Sequence, residues 1–296
     1  MQNETKIEVN MKAWLIVNTF MDNAKFKSLY QMLSNAFEKQ GVNLEIKTAS
    51  DISLEVGKEL TDKPDFAIFW DKDIYLAERL ESQGIRLFNS ARAVALCDNK
   101  ILMYQELAKK DIRIPRTFIA PKTFEGLNYS KRDFLNNIIK EIGLPLVIKE
   151  AYGSFGEQVY LVDTIEAVNK IIDQLGYKDF LIQEDIAASR GKDIRINVVG
   201  NTPVVSMLRT NNKDFRSNIS NGGVGQAFKP DQSYLDLAVK ASLALGLDYA
   251  GVDVMFGENN EPIICEINSN PQFASTLKYT GVNLAEYIAD YILNNL

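Results

Sequence analysis

The chain has 296 residues, 46% hydrophobic and 24% charged, a globular composition with length enough for a sizeable core or for two or three domains. Its 33 Lys and Arg against 39 Asp and Glu leave a formal net charge of −6, which argues against a general attraction to DNA, RNA or anionic lipid. Histidine is absent, so Ser-His-Asp and Cys-His systems and His-ligated zinc are excluded. Catalysis must run on carboxylates, lysine, arginine, backbone dipoles or a hard metal ion.

Cys97 and Cys265 make neither a CxxC spacing nor a disulfide framework. The opening segment MQNETKIEVNMKAWLIVN carries Glu4 and Glu8, and its apolar run, Trp14 to Val17, is too short for a signal-peptide core or a membrane span. Both features predict reduced thiols and a cytoplasmic location. From Lys12 to Cys97, short apolar runs alternate with amphipathic stretches: KAWLIVN, Ala24 to Gln40, VNLEIKT, DFAIFWD, Ile74 to Ser82, IRLFN. That alternation predicts an α/β domain with a mainly parallel sheet, and Gly41 and Gly84 follow helical periodicity as residues just past a helix end do. Trp14, Phe20, Phe69, Trp70 and Asp71 fall near the predicted strand ends, where they belong either to an acceptor site or to the core.

Asp98 to Lys110 reads as one helix, and a domain boundary falls near Asp98. Pro115 and Pro121 enforce extended backbone. A helix (Lys131 to Ile142), a strand (LPLVIKEA), a glycine-bearing loop (YGSFGEQ), a strand (VYLV) and a helix (Ile165 to Leu175) then make a small α/β unit. Beyond Asp179 the chain turns β-rich: FLIQEDI, then DIRINVVGNTPVVSMLR with Gly200-Asn201 as a two-residue hairpin turn. A polar loop, TNNKDFRSNISNGGVGQAF, leads to a helix (Tyr234 to Leu245) and a second hairpin.

That second hairpin is AGVDVMF-GENNE-PIICEIN. With Asn259-Asn260 as its turn, Glu258 pairs with Glu261, and counting back sets Asp253 directly opposite Glu266. Val252, Val254 and Phe256 then face Ile267, Cys265 and Ile263 on the apolar side, while Gly251, Asp253 and Met255 face Asn268, Glu266 and Ile264. Carboxylates so paired, with Cβ atoms roughly 4.5–5.5 Å apart, repel by on the order of 3 kcal/mol. They require a cation, which is either Mg²⁺ or Mn²⁺ or a Lys or Arg side chain; the hairpin leaves both open.

Lys149 interrupts an apolar strand four residues before Gly153-Ser154-Phe155-Gly156. The pair suits a phosphate cradle or, as readily, an edge-strand lysine and an ordinary hairpin loop; there is no GxxxxGK[ST] and no ordered GxGxxG. Asp193 and Arg195 share a strand face, and Arg209 and Arg216 bracket the loop that ends in Gly222-Gly223-Val224-Gly225. Such guanidinium groups clamp a phosphoryl group or a carboxylate, or lie solvated on the surface.

The order Lys100, Lys149 with its Gly/Ser loop, LIQEDI, DIR, KDFRSNISNGG, AGVDVMF and CEINSNP closely resembles the ATP-grasp superfamily and, within it, the RimK-type α-L-glutamate ligases, from about Asn89 onward. The resemblance implies an α/β (α+β ATP-grasp) fold: an N-terminal α/β pre-ATP-grasp domain (1–98), then an ATP-grasp module (99–296) whose lid covers about 116–182 and whose C-terminal subdomain covers about 183–296. ATP would lie between the last two. Carried over by residue, Lys100 and Lys149 would contact the phosphates with the lid residues Gly153, Ser154 and Gly156; Gln183, Glu184, Asp185 and Ile186 would lie at the hinge by adenine and ribose. Asp193 would also line the nucleotide site, Arg216, Ser217 and Asn218 would sit near the phosphates, and Asp253, Glu266 and Asn268 would bind Mg²⁺ or Mn²⁺, as two ions.

The implied chemistry joins a carboxylate to an amine: the acid attacks the γ-phosphate of ATP to give an acylphosphate and ADP, and the amine then displaces phosphate. Arg195, Arg209 and Arg216 are the candidates for holding the transferring phosphate or the acid's second carboxylate. The expected partners are an amino acid and an amine, peptide or protein acceptor, with neither nucleic acid nor membrane; a homo-oligomer is a common default for such enzymes. The sequence departs from the family in GSFGEQV, which lacks further glycines, and in SNPQF, where Gln272 and Phe273 replace the usual residues. The competing readings are an ATP-grasp kinase acting on a hydroxyl and a non-catalytic ATP-binding module.

Overall fold

A computed structural model describes residues 11–52 and 55–296; Glu4 and Glu8 of the opening segment lie outside the described residues. The chain forms two compact units, one of residues up to Arg92 together with Ala285–Leu296, the other Ala93–Leu284.

In the first unit β1 (Ala13–Val17), α1 (Ala24–Glu38), β2 (Leu44–Thr48), β3 (Phe66–Trp70), α2 (Ile74–Glu81) and β4 (Arg86–Phe88) follow one another. The strands form a parallel sheet in the order β2-β1-β3-β4. The central strands AWLIV and FAIFW are buried throughout, as strands covered on both faces must be. Asn23 and Asp73 begin the helices by accepting the N–H groups of Phe26 and Leu76. Trp14, Phe69 and Trp70 are core residues, whereas Phe20 is 90% exposed.

At the start of the second unit α4 (Lys100–Lys109) stands where the sequence predicts a helix over Asp98–Lys110, and it is preceded by α3 (Ala91–Asp98), which the sequence reading does not include. Asn99 separates them: its backbone is extended and its side chain accepts from the N–H groups of Ile101 and Leu102, the capping role that Asn favours over a helix interior.

β5 (Thr117–Ile119), α5 (Asp133–Ile142), β6 (Leu146–Glu150), β7 (Val159–Val162), α6 (Ile165–Leu175) and β8 (Phe180–Glu184) come next. Their strands form an antiparallel sheet, β5-β8-β6-β7. Its core holds Leu146, Ile148, Phe180, Ile182, Val168 and Ile172, which directs the alternate β6 residues Val147 and Lys149 to the other face.

A second antiparallel sheet, in the order β11-β10-β9-β12-β13, is built from β9 (Lys192–Val199), β10 (Thr202–Thr210), β11 (Val224–Ala227), β12 (Tyr249–Phe256) and β13 (Pro262–Asn268). α7 (Gln232–Ala244) covers one face, where Ile194, Ile196, Val252, Val254 and Ile264 pack with Tyr234, Ala238 and Ala241. α8 (Ala274–Thr280) follows β13, and α9 (Leu284–Leu293) closes the chain. Residues from 285 on belong to the first unit, where Glu286 pairs with Lys39 at 2.6 Å and Asp290 accepts from Gln40 Nε2 at 2.5 Å.

The β9–β10 hairpin turns at Gly200-Asn201 as expected, with Thr202 opposite Val199 and Gly200 at φ 57°. The β12–β13 hairpin differs from expectation. Gly257 N–H donates to Glu261 O, so three residues, Glu258, Asn259 and Asn260, form the turn, and Asn260 takes the left-handed φ of 58° that such a turn requires. The extra turn residue shifts Val254 opposite Ile264 and Phe256 opposite Pro262. A bulge at Cys265 absorbs the shift and restores Asp253 opposite Glu266 and Gly251 opposite Asn268. The end of the polar loop is also a strand: Val224–Ala227 pairs with β10. Among the described residues no helix is long and apolar enough to cross a membrane.

Candidate active site

Within the second unit a cleft lies between the two antiparallel sheets. β6 contributes Val147 and Lys149, and the end of β8 contributes Gln183, Glu184, Asp185 and Ile186. From the other sheet come Asp193, Arg209, Asp253 and Glu266; the loop after β10 adds Arg216, Ser217 and Asn218; Lys100 and Gly156 complete the set. Of the residues expected in a site, Gly153, Ser154, Arg195 and Asn268 do not line the cleft. Gly153 O accepts from Lys100 Nζ at 3.0 Å, and Ser154 N–H donates to Gln158 Oε1 at 3.2 Å. Arg195 lies behind Asp253, and Asn268 Nδ2 donates to Gly251 O at 3.3 Å.

The cations reach this place along ordinary structural rules. Lys149 follows Val147 by two residues, so both side chains leave the packed face of β6 for the cleft. Its Nζ donates to the Tyr104 hydroxyl at 3.1 Å, and that hydroxyl donates to Cys265 O. Burial works against the Lys149 charge, but Tyr104, Cys265 and the Glu266 carboxylate outweigh it and hold the ammonium pKa above its ordinary value. Lys100, at the start of α4, has Glu266 Oε1 at 3.5 Å.

On the sheet floor a chain of charges crosses three strands. Arg209 donates from Nε to Asp193 Oδ1 at 2.7 Å and from Nη2 to Asp193 Oδ2, and its Nη2 also meets Asp253 Oδ2 at 2.9 Å. Arg195 forks onto Asp253, Nε to Oδ1 and Nη2 to Oδ2 at 2.9 Å. All four residues are buried. Burial opposes the Asp253 charge, yet Arg195 and Arg209 hold its carboxyl below the usual carboxylate range; Arg209 is likewise held above its ordinary value, against burial, by Asp193 and Asp253. The demand for a cation opposite Asp253 is thus met by guanidinium groups, and Glu266 is the carboxylate left toward the cleft, its side chain 28% exposed.

Two loops meet at the rim. Arg216 is gripped by Asp214, Nε to Oδ1 at 3.0 Å and Nη2 to Oδ2 at 2.7 Å, and donates from Nη1 to Gly156 O at 2.5 Å. Asn221 Nδ2 donates to Phe155 O at 3.1 Å. Gly156 takes φ 77°, a left-handed conformation that favours glycine, and a Cβ there would also crowd Asn218 Oδ1 at 3.0 Å and Arg216 Cδ at 3.2 Å. At the other end Asp185 Oδ2 accepts from Arg190 Nε at 2.9 Å, and Glu184 Oε1 accepts from Arg116 N–H at 2.8 Å.

Sequence reasoning placed Ile186 here but missed the rest of the apolar lining, Val147, Val159, Phe215 and Met255, which suits a flat ring above a polar floor. The signal was present: Val147 and Met255 each lie two residues from a named charge, Lys149 and Asp253. It also placed Cys265 on the apolar face, whereas the bulge turns it to the cleft. Burial and the Asp193, Asp253 and Glu266 carboxylates, opposed by Lys149, push its thiol up to about 11. At neutral pH Cys265 therefore carries roughly 100-fold less thiolate than a free cysteine, and alkylation of its peptide, followed by mass spectrometry, is expected to become fast only as pH approaches 11.

Among the described residues no group of three Cys, Asp or Glu ligands converges on one point. A cation in this cleft would depend on two carboxylates, Asp253 and Glu266, the neighbouring Asn268 amide on the same strand as Glu266, and oxygens that a ligand brings. That donor set fits Mg²⁺ or Mn²⁺, which are held by one or two carboxylates plus substrate phosphates.

Comparison with known proteins agrees with this geometry. The pattern of the RimK-like ATP-grasp domain matches residues 97–292. A Mycoplasma pneumoniae protein described as an uncharacterized MG012 homolog is 34% identical over 260 residues, 86% of this chain and 90% of that one. A probable alpha-L-glutamate ligase of Vibrio atlanticus is 33% identical over 224 residues, 74% of this chain and 71% of that one. Among solved structures, a RimK domain ATP-grasp protein from Sphaerobacter thermophilus superposes with a TM-score of 0.74 at 21% identity, over 95% of this chain and 98% of the other. A cleft between two antiparallel sheets, lined by lysines and arginines and matched along two-thirds of the sequence, places the chain in the RimK-like ATP-grasp family of carboxylate–amine ligases, which bind ATP with Mg²⁺.

Proposed function

We propose that this chain joins glutamate or another amino acid to an amine or peptide acceptor in the cytoplasm, at the expense of ATP, through an acylphosphate and with release of ADP and phosphate. The observation that carries the reading is the convergence of Lys100, Lys149, Arg209 and Arg216 on one cleft with Asp253 and Glu266. Phosphoryl transfer is driven by positioning and charge neutralisation, and this cleft offers both without histidine. Lys149, kept charged by its surroundings, and Lys100 take the nucleotide phosphates. Arg216, oriented by Asp214, and Arg209, oriented by Asp193, stand where a transferring phosphate or the acid's carboxylate would be held. Gln183 to Ile186 and the apolar lining take the base and ribose. Mg²⁺ bound at Asp253, Glu266 and Asn268 would neutralise charge on the terminal phosphates. In this reading the catalytic module lies within residues 99–296, with 116–182 its lid and residues 1–98 a preceding domain, and Ala285–Leu296 pack with that first unit.

The test measures ADP and free phosphate released from Mg·ATP with glutamate, with and without a pool of amines and peptides. Equal release of both, dependent on the pool, is expected. ADP without free phosphate would replace the reading with a kinase, and tight ATP binding without any turnover in the presence of a broad amino-acid set would replace it with a regulatory module.

A further inference from the structure

Two guanidinium groups hold Asp253 through three contacts, two hydrogen bonds from Arg195 and an ion pair with Arg209. Oδ2 takes Arg195 Nη2 and Arg209 Nη2, both at 2.9 Å, and Oδ1 takes Arg195 Nε. A carboxylate offers about four lone-pair sites, so one remains, on Oδ1. The surrounding charges tell the same story. The cleft is lined by six cations, Lys100, Lys149, Arg190, Lys192, Arg209 and Arg216, and five carboxylates, Glu184, Asp185, Asp193, Asp253 and Glu266, and Arg195 on Asp253 adds a seventh cation, so the net positive cleft disfavours a bare divalent ion and attracts a polyphosphate.

Arg195 is also fixed in place. It is 8% exposed, and its stem lies over Gly251, where a Cβ would come within 3.3 Å of Arg195 Cδ and 3.0 Å of its Nη1, and within 2.8 Å of Pro271 Cβ. Arg195 is not among the residues that line the cleft, and its link to the cleft runs through Asp253.

We propose that Arg195 is a positioning residue that makes divalent-cation binding conditional on nucleotide: it keeps Asp253 neutralised and limited to one free lone pair, so that the cation binds only together with polyphosphate oxygens. This inference rests on the reading of the cleft as an ATP site. Once the polyphosphate anion occupies the cleft, its charge outweighs the lysines, and the free lone pair of Oδ1 together with Glu266 and Asn268 supplies the protein's share of the ligands.

The experiment titrates Mn²⁺ and follows the free-ion electron paramagnetic resonance signal, with and without a non-hydrolysable ATP analogue, on the wild type, Arg195→Gln and Arg195→Lys. For the wild type, binding should be saturable with the analogue and at least about ten-fold weaker without it, a comparison that needs no variant. Without the analogue, Arg195→Gln should bind Mn²⁺ about 10–100-fold tighter than the wild type, as removal of one nearby charge predicts, while Arg195→Lys should stay nucleotide-dependent. Equal affinity of the wild type for Mn²⁺ with and without the analogue, or an Arg195→Gln protein of native circular dichroism that binds bare Mn²⁺ no tighter than the wild type, would overturn the inference alone. If the wild type binds the analogue in calorimetry but no Mn²⁺ with it, the reading of the site as a metal site falls as well.

Discussion

Replacing Arg209 with methionine is expected to destabilise the second unit by about 3–5 kcal/mol, the typical cost of removing one partner from a buried ion pair. Arg209 is 4% exposed and serves two carboxylates, Asp193 through both oxygens and Asp253 through Oδ2. Methionine fills much of the space but donates nothing, so Asp193 in particular keeps its charge in an apolar setting without its forked partner. For a unit of this size each kcal/mol corresponds to roughly 2–4 °C, so the melting temperature should fall by about 6–20 °C. Adding Asp193→Asn removes the stranded charge, and the double variant should be more stable than Arg209→Met alone. Thermal and urea unfolding of the three proteins decide it. A loss below about 1 kcal/mol for the single variant, the range of exposed ion pairs, would refute the buried network.

The second large effect is on activity. Glu266→Gln keeps shape and volume but deletes the one carboxylate of the floor that no guanidinium occupies. Its side chain is 28% exposed and its cationic neighbour is Lys100 at 3.5 Å, so stability should change by less than about 0.5–1 kcal/mol. Turnover, measured as ADP formation, should fall by on the order of 10²–10³-fold, as for loss of one preorganised electrostatic group. Nucleotide affinity should hold or rise, because the cleft becomes more positive. Full retention of turnover would remove Glu266 from the reaction.

Much of this site was legible because charges that interrupt apolar strands are conspicuous. Lys149 within LPLVIKEA and Asp253 within AGVDVMF announce themselves, and period-2 alternation turns both away from the core. The pairing of Asp253 with Glu266 was read correctly through two errors that cancel, a turn one residue too short and an unseen bulge at Cys265. Bulges carry little local signature, since the same residues pair equally well one step along until the opposite face is packed. The charge chain Asp193–Arg209–Asp253–Arg195 was invisible for another reason: it joins β9, β10 and β12, and which strands adjoin is a property of topology. Alternation within DIR gave Asp193 and Arg195 a common face but not their separate partners. α3 is the converse case, a helix that the sequence reading does not include, just before the one expected from Asp98, which begins at the Asn99 cap.

The return of residues from 285 onward to the first unit bears on how the protein is made. Its parallel sheet leaves the ribosome early, yet the segment bearing Glu286 and Asp290, which bind Lys39 and Gln40, is translated only after the 192 residues of 93–284. At about 5–20 residues per second that interval lasts roughly 10–40 s. The unit that begins first is completed last, and for that time the face of α1 near Lys39 is without its covering segment, exposed to whatever chaperones attend the nascent chain.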